Sequence, residues 1–273
     1  MTGAPLDELN RATWSSPALL DVFAAREGPI DGAEAAILRR LAHEVRGEPI
    51  LDIGVGGGRT VPLLRALTDD YIGIDYLEEL VGLTRSRFPD ARIEHHDARD
   101  LSAFEDGSFA LVVFSTNGID GISHEDRGTT LAEICRVLRP GGWFFYSTHN
   151  LAHSAAGAPP WNRWWFVCRP RIALRRVVAL PRTIHAYRRA RSHVTRGDGW
   201  ATLVDPAYDF GLLTHFVMVD EALRELEAAG FEPGAEVFDP TGAPVGPYGF
   251  TTSAFWFHVL ARRGSGEPDR TKL

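Results

Sequence analysis

The amino-acid sequence predicts an α/β protein organised around a doubly wound parallel sheet, and two observations carry that prediction. An apolar run beginning at Ile50 breaks into a glycine-dense turn, and a helical pattern follows from Val61. A strand, a glycine turn and a helix N-terminus in this order form a cradle for a nucleotide in open α/β sheets. Strand-like and helix-like segments then alternate as far as residue 148, which is typical of parallel strands joined by helices.

The elements of the first half are predicted in order along the chain. Residues 1–30 indicate a helical lead-in, and a helix over 31–45 begins with Asp31 and Glu34 in a capping box. The fourth strand is almost wholly apolar, as expected for a strand covered on both faces. The segment from Arg139 to Gly142 is predicted to stop a helix ahead of the fifth strand. The predicted strands are 49–54, 71–75, 91–96, 109–115 and 143–148, and the helices between them are 60–67, 77–87 and 125–138.

The alternation lapses from 151 to 207 and then resumes. Asp220 is predicted to cap a helix that ends at Gly230, and two further strands are predicted at 231–238 and 250–261. The chain is therefore expected to divide into a helical lead-in at 1–45, a nucleotide-binding core at 46–150, a basic helical cap insertion at 151–215, a return to the core at 216–263 and a flexible tail at 264–273.

Composition limits the class of protein. The 273 residues are 44% hydrophobic and 24% charged, which is ordinary for a globular protein in water. No apolar run reaches the ~18 residues of a membrane-spanning helix, and the N-terminal residues lack the basic and apolar regions of a signal peptide. The two cysteines, Cys135 and Cys168, form neither a disulfide framework nor a metal-ligand cluster. We therefore expect a cytoplasmic location.

Lysine is almost absent, since Lys272 near the C-terminus is the only one. Phosphate-loop nucleotidases, protein kinases and pyridoxal-phosphate enzymes all depend on a positioned lysine. A lysine in a predicted tail cannot serve that purpose, so these three classes are disfavoured.

The spacing of the glycines narrows the choice of nucleotide. The dinucleotide fingerprint Gly-x-Gly-x-x-Gly, counted from Gly54, requires a third glycine at position 59, which is Arg59. The shorter pattern Gly-x-Gly-x-Gly fits at Gly54, Gly56 and Gly58, with Asp52 two residues ahead. This arrangement resembles the first motif of class I S-adenosylmethionine-dependent methyltransferases. Taken alone, it also fits a turn with a purely structural role.

Later segments extend the resemblance. Asp75 ends the second strand, 21 residues after Gly54, where an acidic residue of that family binds both ribose hydroxyls of the cofactor. A carboxylate can accept two hydrogen bonds from a cis-diol, although a dehydrogenase has a similar acid and an Asp after a strand is often only a helix cap. Asp97 and Ala98 match the segment after strand 3 that lies near the adenine. Ser115 ends strand 4 beside the cofactor's amino-acid end.

The resemblance covers about 46–150 and 216–262. It implies a seven-stranded Rossmann-like methyltransferase sheet, with its last two strands joined without a helix and a helical cap insertion after strand 5. The turn from Leu138 to Gly142 is among its more specific features. One departure is Ala110, which stands after Phe109 where the family usually has Asp. The implied cofactor is S-adenosyl-L-methionine, held by Asp52, Gly54, Gly56, Gly58, Asp75, Asp97, Ala98 and Ser115.

The substrate is expected beyond the carboxyl ends of the strands, as in other open α/β sheets. His149 follows the fifth strand and is the candidate general base or orienting group, because an unperturbed histidine titrates near pH ~6.5. The alternative is a histidine that bonds a loop carbonyl. Weaker candidates for substrate contact are Asn117, Asn150, Tyr208, Asp209 and His215. No metal site is predicted from the pair His95 and His96, because neighbouring strand residues point to opposite faces and no third ligand follows at a recognisable spacing.

The insertion is strongly basic. It has no Asp or Glu from Leu151 to Gly197 and ten arginines between Arg163 and Arg196, so the rest of the chain, whose total formal charge is −7, carries −17. Trp161, Trp164, Trp165 and Phe166 accompany the arginines. Three interpretations compete: a solvated helical cap, a cap that binds an anionic substrate, and a surface that docks on an anionic membrane or a nucleic acid.

These observations predict a methyltransferase that acts on an oxygen or nitrogen of a small molecule, anionic or glycosylated. Nucleic acid is the least favoured partner because the chain is acidic overall, whereas peripheral membrane contact through the insertion stays open, as does the oligomeric state. One rival is an NAD-dependent oxidoreductase, against which Arg59 and the Asp97 segment speak. A second is a non-catalytic binding subunit of methyltransferase fold, disfavoured by the intact cofactor motifs.

Overall fold

The computed structural model describes residues 4–161, 170–206, 210–246 and 254–265. Within these ranges an eleven-stranded sheet is flanked by eight α-helices. The helices are α1 Ala4–Trp14, α2 Pro17–Ala24, α3 Gly32–Val45, α4 Val61–Arg65, α5 Glu78–Arg87, α6 His124–Val137, α7 Pro170–Ala190 and α8 Val219–Ala228. The strands are β1 Ile50–Ile53, β2 Tyr71–Asp75, β3 Arg92–His95, β4 Phe109–Phe114, β5 Leu138–Asn150, β6 Thr195–Arg196, β7 Trp200–Asp205, β8 Leu212–Val217, β9 Glu236–Phe238, β10 Pro244–Val245 and β11 Trp256–Arg262.

The main path of the sheet runs β10-β9-β11-β5-β4-β1-β2-β3. The five neighbouring strands β3, β2, β1, β4 and β5 are parallel to one another, and β11 pairs antiparallel with β5. Every residue of β4 is buried, because helices cover both faces of this part of the sheet. The doubly wound α/β fold is therefore confirmed. The order of the strands reverses between β1 and β4, and such folds bind ligands at this switch point.

Strand β5 is longer than its neighbour β4, and this difference shapes the molecule. Beyond the end of β4, the last residues of β5 pair on one side with β11 and on the other with β8, through His149 with Phe216 and Asn150 with Val217. Strand β7 continues this edge antiparallel to β8. The insertion thus adds strands β6 to β8 as well as helix α7. The sequence analysis did not predict these strands, although the residues from Leu212 to Val217 are all buried, as central strands require.

The prediction that Arg139 to Gly142 forms a separate turn was wrong. Helix α6 does end at Val137, but β5 begins at once with Leu138 and runs through the Pro-Gly-Gly segment. Gly141 takes a φ of 73°, a left-handed value that glycine tolerates, and a register shift against β4 accommodates the irregularity. Its N–H donates to the carbonyl of Arg263, so the segment pairs with the C-terminal strand.

Two predictions in the C-terminal part also need correction. Met218 occupies the N-cap position of helix α8 without a side-chain cap hydrogen bond, and Asp220 lies in the first turn, 3.1 Å from Arg224. The strand predicted at 231–238 is ordered as a strand only at Glu236–Phe238, because Pro233 and Gly234 interrupt it after a single bridge from Phe231. The predicted start of the last strand, at residue 250, lies outside the described residues.

The N-terminal helix α1 is hydrogen-bonded to the insertion. The side chain of Asn10 donates to the carbonyl of Leu213 at 2.7 Å and accepts from its N–H at 2.9 Å. Thr13 Oγ1 donates to the carbonyl of Gly211 at 2.8 Å. The Asn10 side chain thus bonds both the N–H and the carbonyl of one strand residue, as the backbone of a neighbouring strand would. These bonds hold α1 against β8. Across the described ranges, we find no helix with the length and apolarity to traverse a bilayer.

Candidate active site

A cleft opens at the carboxyl ends of β1, β2, β4 and β5. It encloses about 1060 Å³ not filled by protein atoms, a volume that includes open solvent. Three parts of the chain line it: the parallel core, the N-terminal helices and the insertion. The core supplies Gly54, Gly56, Asp75, Asp97, Ala98, Ser115, Asn117 and His149, the N-terminal part supplies Asp7, Trp14, Phe23 and Arg26, and the insertion supplies Asp205, Leu212 and Thr214.

The glycine turn forms one wall of this cleft and can be made only by glycines. Gly54, Gly56 and Gly58 have φ values of 66°, 56° and 83°, in the left-handed region that side chains disfavour. A Cβ at Gly54 would lie 2.9 Å from the Phe114 ring, and one at Gly58 would lie 2.5 Å from the Phe88 ring. The predicted cradle is thus dictated by packing behind the loop as well as by its conformation.

Asp52 lies beneath the turn. Its Oδ2 accepts hydrogen bonds from Thr60 Oγ1 at 2.5 Å and from the Tyr71 hydroxyl at 2.8 Å. Burial raises the pKa of this carboxyl to about 6. Asp52 lines a smaller adjoining cavity rather than the main cleft. Its contacts tie the end of the loop to β2, so the geometry supports an anchoring role more directly than a contact with ligand.

Asp75 lines the floor of the cleft and is held by the loop itself. Its Oδ2 accepts from the N–H of Gly56 at 2.9 Å, and its Oδ1 accepts from the N–H of Leu77 at 3.0 Å. Burial raises the pKa of Asp75 to about 6, although these backbone donors act in the opposite direction. Each oxygen retains a lone pair that can accept a further hydrogen bond. The carboxylate therefore both organises the turn and presents an acceptor to the cleft.

Asp97 and Ala98 line the cleft on the far side of Asp75. Both oxygens of Asp97 accept from the guanidinium of Arg99, the shortest contact being 2.6 Å, and this arginine helps to lower the pKa of Asp97 against the effect of burial. Arg99 also donates to Asp7 of helix α1 at 2.5 Å. A charged chain thus joins the segment after β3 to the N-terminal helix over the cleft.

Ser115 belongs to a buried polar cluster built on Arg59. The guanidinium of Arg59 forms a two-pronged ion pair with Glu34, at 2.6 and 3.0 Å, and donates to Ser115 Oγ at 2.7 Å and Thr116 Oγ1 at 2.8 Å. The Glu34 carboxylate also accepts from Ser115 Oγ and from the N–H of Ile30. Asp31 accepts from the Glu34 N–H as the capping box predicts. The second hydrogen bond of a capping box, from the Asp31 N–H to the glutamate side chain, is replaced by the contacts of Glu34 with Arg59 and Ser115.

His149 forms a dyad with Asp120 at the opposite end of the cleft. Its Nδ1 lies 2.8 Å from Asp120 Oδ2, and its Nε2 lies 3.3 Å from Asn117 Nδ2 and 3.7 Å from Asp205 Oδ2. Burial opposes protonation of this imidazole, but the hydrogen bond and charge of Asp120, with the charge of Asp205, outweigh it and raise the pKa of His149. Asp120 is fully buried and also accepts from Thr148 Oγ1 and the His149 N–H, so its position is fixed.

The chain turns sharply where β4 ends. Thr116 and Asn117 have φ values of 56° and 57°, which are uncommon for residues other than glycine and concentrate at functional sites. The turn places Asn117 against His149, and the Asn117 N–H donates to Ser147 Oγ at 2.8 Å. Asn117 Oδ1 is buried without a hydrogen-bond partner among the described residues. It is therefore an acceptor available to a ligand in the cleft.

Other predicted substrate contacts lie elsewhere. Asn150 donates to the carbonyl of Ala254 at 3.0 Å and accepts from the N–H of Ala152 at 3.0 Å, so its side chain closes a loop. His215 points away from the cleft because its neighbour Thr214 lines it, and adjacent strand residues face opposite sides. Neither position supports substrate contact. Tyr208, Asp209, Trp164, Trp165 and Phe166 lie outside the described residues.

The sequence analysis missed Asp120 and Asp205 as members of the site. Asp120 stood within the segment predicted to follow strand 4, but no spacing in the sequence shows that a 3₁₀ helix, Gly118–Gly121, turns it toward β5. Asp205 lies at the end of the unpredicted strand β7. The arginines that line the cleft in the described part of the chain are Arg26 and Arg99, both outside the insertion. The exposed arginines of the insertion, among the side chains that the structure describes, are Arg182, Arg188, Arg189, Arg191 and Arg196. Exposure is compatible with a solvated cap and with a docking surface alike.

Comparison with known proteins places the core in one group. A family model described as a methyltransferase domain matches residues 50–142. A probable S-adenosylmethionine-dependent methyltransferase of Mycolicibacterium smegmatis is 36% identical over 115 residues, which are 42% of this chain and 43% of that protein. A ubiquinone biosynthesis O-methyltransferase of Paraburkholderia xenovorans is 31% identical over 114 residues, 40% of this chain and 47% of that protein. The chain thus spans less than half the length of these curated relatives.

Solved structures resemble a larger part of the chain. The CcbJ methyltransferase from Streptomyces caelestis has a TM-score of 0.56 at 16% identity and covers 90% of this chain and 96% of its own. An S-adenosylmethionine-dependent methyltransferase from Mesorhizobium loti has a TM-score of 0.55 at 21% identity and covers 85% of this chain and 98% of its own. At these identities the likeness establishes the fold alone. Because the matches cover 85–90% of this chain, the shared fold extends beyond residues 50–142.

Proposed function

We propose that this chain is a class I S-adenosylmethionine-dependent methyltransferase, which transfers a methyl group to an oxygen or nitrogen of a small molecule. The match of residues 50–142 to a methyltransferase domain supports this proposal. The observation that carries the proposal is the placement of the His149 imidazole in the same cleft as the glycine turn and Asp75. The glycine turn, which can hold a nucleotide, and the buried imidazole of His149, which can act as a base, therefore line the same cleft. The O-methyltransferase relative supports an oxygen acceptor.

The residues of the cradle fit the cofactor. S-Adenosylmethionine, when bound, supplies a methyl group on a sulfonium, which is an electrophile that needs little activation by the protein. Gly54 and Gly56 leave the backbone open to close approach, and Asp75 offers carboxylate oxygens to a ribose diol. Arg26 lines both the cleft and the adjoining cavity beside the glycine turn, where a guanidinium suits a carboxylate.

The dyad provides the proton chemistry. An alcohol or phenol must lose its proton as the new bond to carbon forms, and neutral His149 can accept it at Nε2. Asp120 holds the proton on Nδ1 and stabilises the imidazolium that results, as an orienting carboxylate does in other histidine-dependent enzymes. Asn117 supplies the unpartnered Oδ1 and Asp205 a carboxylate next to Nε2, and both can position the acceptor. The chain's own contribution is thus alignment and proton removal.

The N-terminal helices restrict access of water to this space. Trp14 and Phe23 line the cleft opposite the glycine turn and strand ends, and Trp14 packs edge-on against Tyr76 with ring centroids 6.0 Å apart. Exclusion of water strengthens electrostatic interactions within a site. The geometry therefore favours a small acceptor that is enclosed during reaction over a macromolecular one.

Two measurements test the proposal against its rivals. Titration calorimetry with S-adenosylhomocysteine and with NAD should show saturable binding of the first and none of the second, whereas binding of NAD alone would support an oxidoreductase. A screen of small hydroxylated and amino compounds with methyl-labelled S-adenosylmethionine should yield a labelled product. Cofactor binding without labelling of any acceptor class, in a protein with an intact cleft, would favour a non-catalytic binding subunit.

A further inference from the structure

A second cluster of chemistry-bearing side chains lies behind the cleft, on the opposite face of β8. His215 projects from β8, His124 is the first residue of α6, and Glu225 lies in α8. The chain separates these residues widely, so no spacing in the sequence brings them together, and the sequence analysis predicted no metal site. The fold places them side by side where α6 and α8 pack on the sheet.

The donor atoms of the cluster are spaced as the ligands of one cation. His124 Nδ1 lies 3.3 Å from His215 Nε2 and 3.8 Å from Glu225 Oε1, and all three atoms lie within 4.8 Å of one another. Zinc binds imidazole nitrogen and carboxylate oxygen at about 2.0–2.2 Å, so tetrahedral ligands stand about 3.3–3.6 Å apart. One pair already has this separation, and the third donor needs only a small adjustment.

A second observation points to a missing partner at the same place. The side chain of Glu225 is only 10% exposed, and its Oε1 has no hydrogen-bond partner in the described part of the chain. The other oxygen of this carboxylate accepts from Arg127 at 3.1 Å. A buried carboxylate oxygen left unpaired is costly. A bound cation removes that cost without disturbing the ion pair with Arg127.

The surroundings hold the two imidazoles in place. His215 is fully buried and His124 is half-buried, and their rings lie parallel with centroids 5.5 Å apart. The nearby positive charge of Arg127 is balanced by Asp120 at 3.3 Å and by Glu225. Trp200 stacks on the His124 ring with centroids 3.7 Å apart, which fixes the ring plane.

We propose that His124, His215 and Glu225 bind a divalent transition-metal cation of the zinc type. The donor set of two imidazoles and one carboxylate matches zinc and its first-row neighbours rather than magnesium or calcium, which prefer oxygen ligands. The site joins α6, β8 and α8, so its primary effect is structural. It does not depend on the methyl-transfer proposal, because none of its three ligands lines the cleft.

Calorimetric titration of chelator-treated, untagged protein with zinc chloride tests the site. Wild-type protein should bind one equivalent of Zn²⁺ saturably, and the Co²⁺ form should show the visible absorption of a tetrahedral ion. His124→Gln should raise the dissociation constant for Zn²⁺ at least tenfold, since it removes one of three ligands. His43→Gln changes an exposed histidine of α3 and should bind as wild type does.

Folding of each variant is checked in the metal-free state by its far-ultraviolet circular dichroism and its thermal unfolding midpoint, neither of which requires cofactor binding. Glu225→Gln provides a second ligand variant, because an amide keeps an acceptor for Arg127 while losing the charge that binds metal. The proposal is overturned if wild-type protein shows no saturable Zn²⁺ binding, or if His124→Gln and Glu225→Gln, folded by these criteria, bind Zn²⁺ as tightly as wild type. Equal loss in His43→Gln would also overturn it.

Discussion

His149 Nδ1 and Asp120 Oδ2 lie 2.8 Å apart, and the aspartate that makes this contact has no exposed surface. A buried carboxylate behind an imidazole fixes the tautomer and leaves Nε2 facing the cleft. This pair links a residue at the end of β5 to one in the turn that follows β4. The catalytic predictions below depend on it.

Replacing His149 by glutamine should reduce methyl transfer about 10²–10⁴-fold, the usual contribution of a positioned general base. Affinity for S-adenosylhomocysteine should stay within about twofold, because the base lies away from the cradle. Product formation from labelled cofactor measures the first quantity and calorimetry the second. His153→Gln, a change at the same end of the sheet, is the matched control. Full activity of His149→Gln would remove the imidazole from the mechanism.

The dependence of rate on pH should report the state of His149. Only the neutral imidazole accepts a proton, and the pKa of His149 is raised by Asp120 despite burial, so activity should increase with pH through a midpoint above the ordinary value of ~6.5. Asp120→Asn removes the charge that stabilises the imidazolium. The midpoint should then move to lower pH while the maximal rate falls, because the tautomer is no longer fixed. An unshifted midpoint in Asp120→Asn contradicts this assignment.

Asp75→Ala should weaken binding of S-adenosylhomocysteine by about 1–3 kcal/mol, or roughly 5–150-fold, the scale of hydrogen bonds to a charged group. The loop N–H of Gly56 also loses its acceptor, so part of the loss will come from a less ordered turn. Calorimetry measures the change, and Asp90→Ala at an exposed position is the control. Equal affinities would mean that Asp75 serves only as a cap for the following helix.

Acidification should weaken cofactor binding through the same residue. Burial raises the pKa of Asp75 to about 6, and a ribose diol donates to the ionised form, so binding favours the carboxylate. The affinity for S-adenosylhomocysteine should be greatest well above pH 6 and should fall as the pH decreases through that value. Calorimetry between pH 5 and 8 measures the slope. In Asp75→Asn, which cannot ionise, this step should be absent.

Glu34→Gln should destabilise the fold by about 3–5 kcal/mol, since it leaves the guanidinium of Arg59 buried without a counter-charge. The two groups are 0% and 9% exposed and share two hydrogen bonds. Denaturant unfolding measures the difference in free energy. A double variant, Glu34→Gln with Arg59→Met, should recover part of the loss because no charge remains buried. A loss below about 1 kcal/mol in the single variant would show that water reaches the pair.

The order of the core strands and the glycine turn could be predicted because local patterns specify them. The strand from Tyr71 to Asp75, for example, is found where an apolar segment and an acidic end suggest it. Strands β7 and β8 could not be predicted, because their apolar residues are equally compatible with a buried helix and only pairing with β5 decides between them. For the same reason His215 was predicted as a candidate substrate contact, although its side chain lies against His124 of α6 instead.

The candidate site divides in the same way. The cradle residues were selected by their resemblance to the motifs of a known family. Those that line one cleft are Gly54, Gly56, Asp75, Asp97, Ala98 and Ser115, whereas Asp52 lines the adjoining cavity. Their roles stay predictions until ligand binding is measured. Asp120 and Asp205 depend on contacts between segments distant in sequence, so no local pattern identifies them. The helix end predicted before Arg139 to Gly142 is confirmed, but the separate turn was wrong, because strand β5 already begins at Leu138 and Gly141 bends it without ending it.

The hydrogen bonds between Asn10 and Leu213, with the ion pair between Asp7 and Arg99, give helix α1 two attachments, one on the insertion and one on the core. Because α1 lines the cleft and is hydrogen-bonded to β8, we expect the rate at which ligands leave to depend on the strand that carries Thr214. A change in the length or sequence of the insertion, made in order to accept a different methyl acceptor, will also alter how long the cofactor remains bound. Acceptor choice and cofactor residence time should therefore change together in variants of β8, even where no residue in contact with the cofactor is altered.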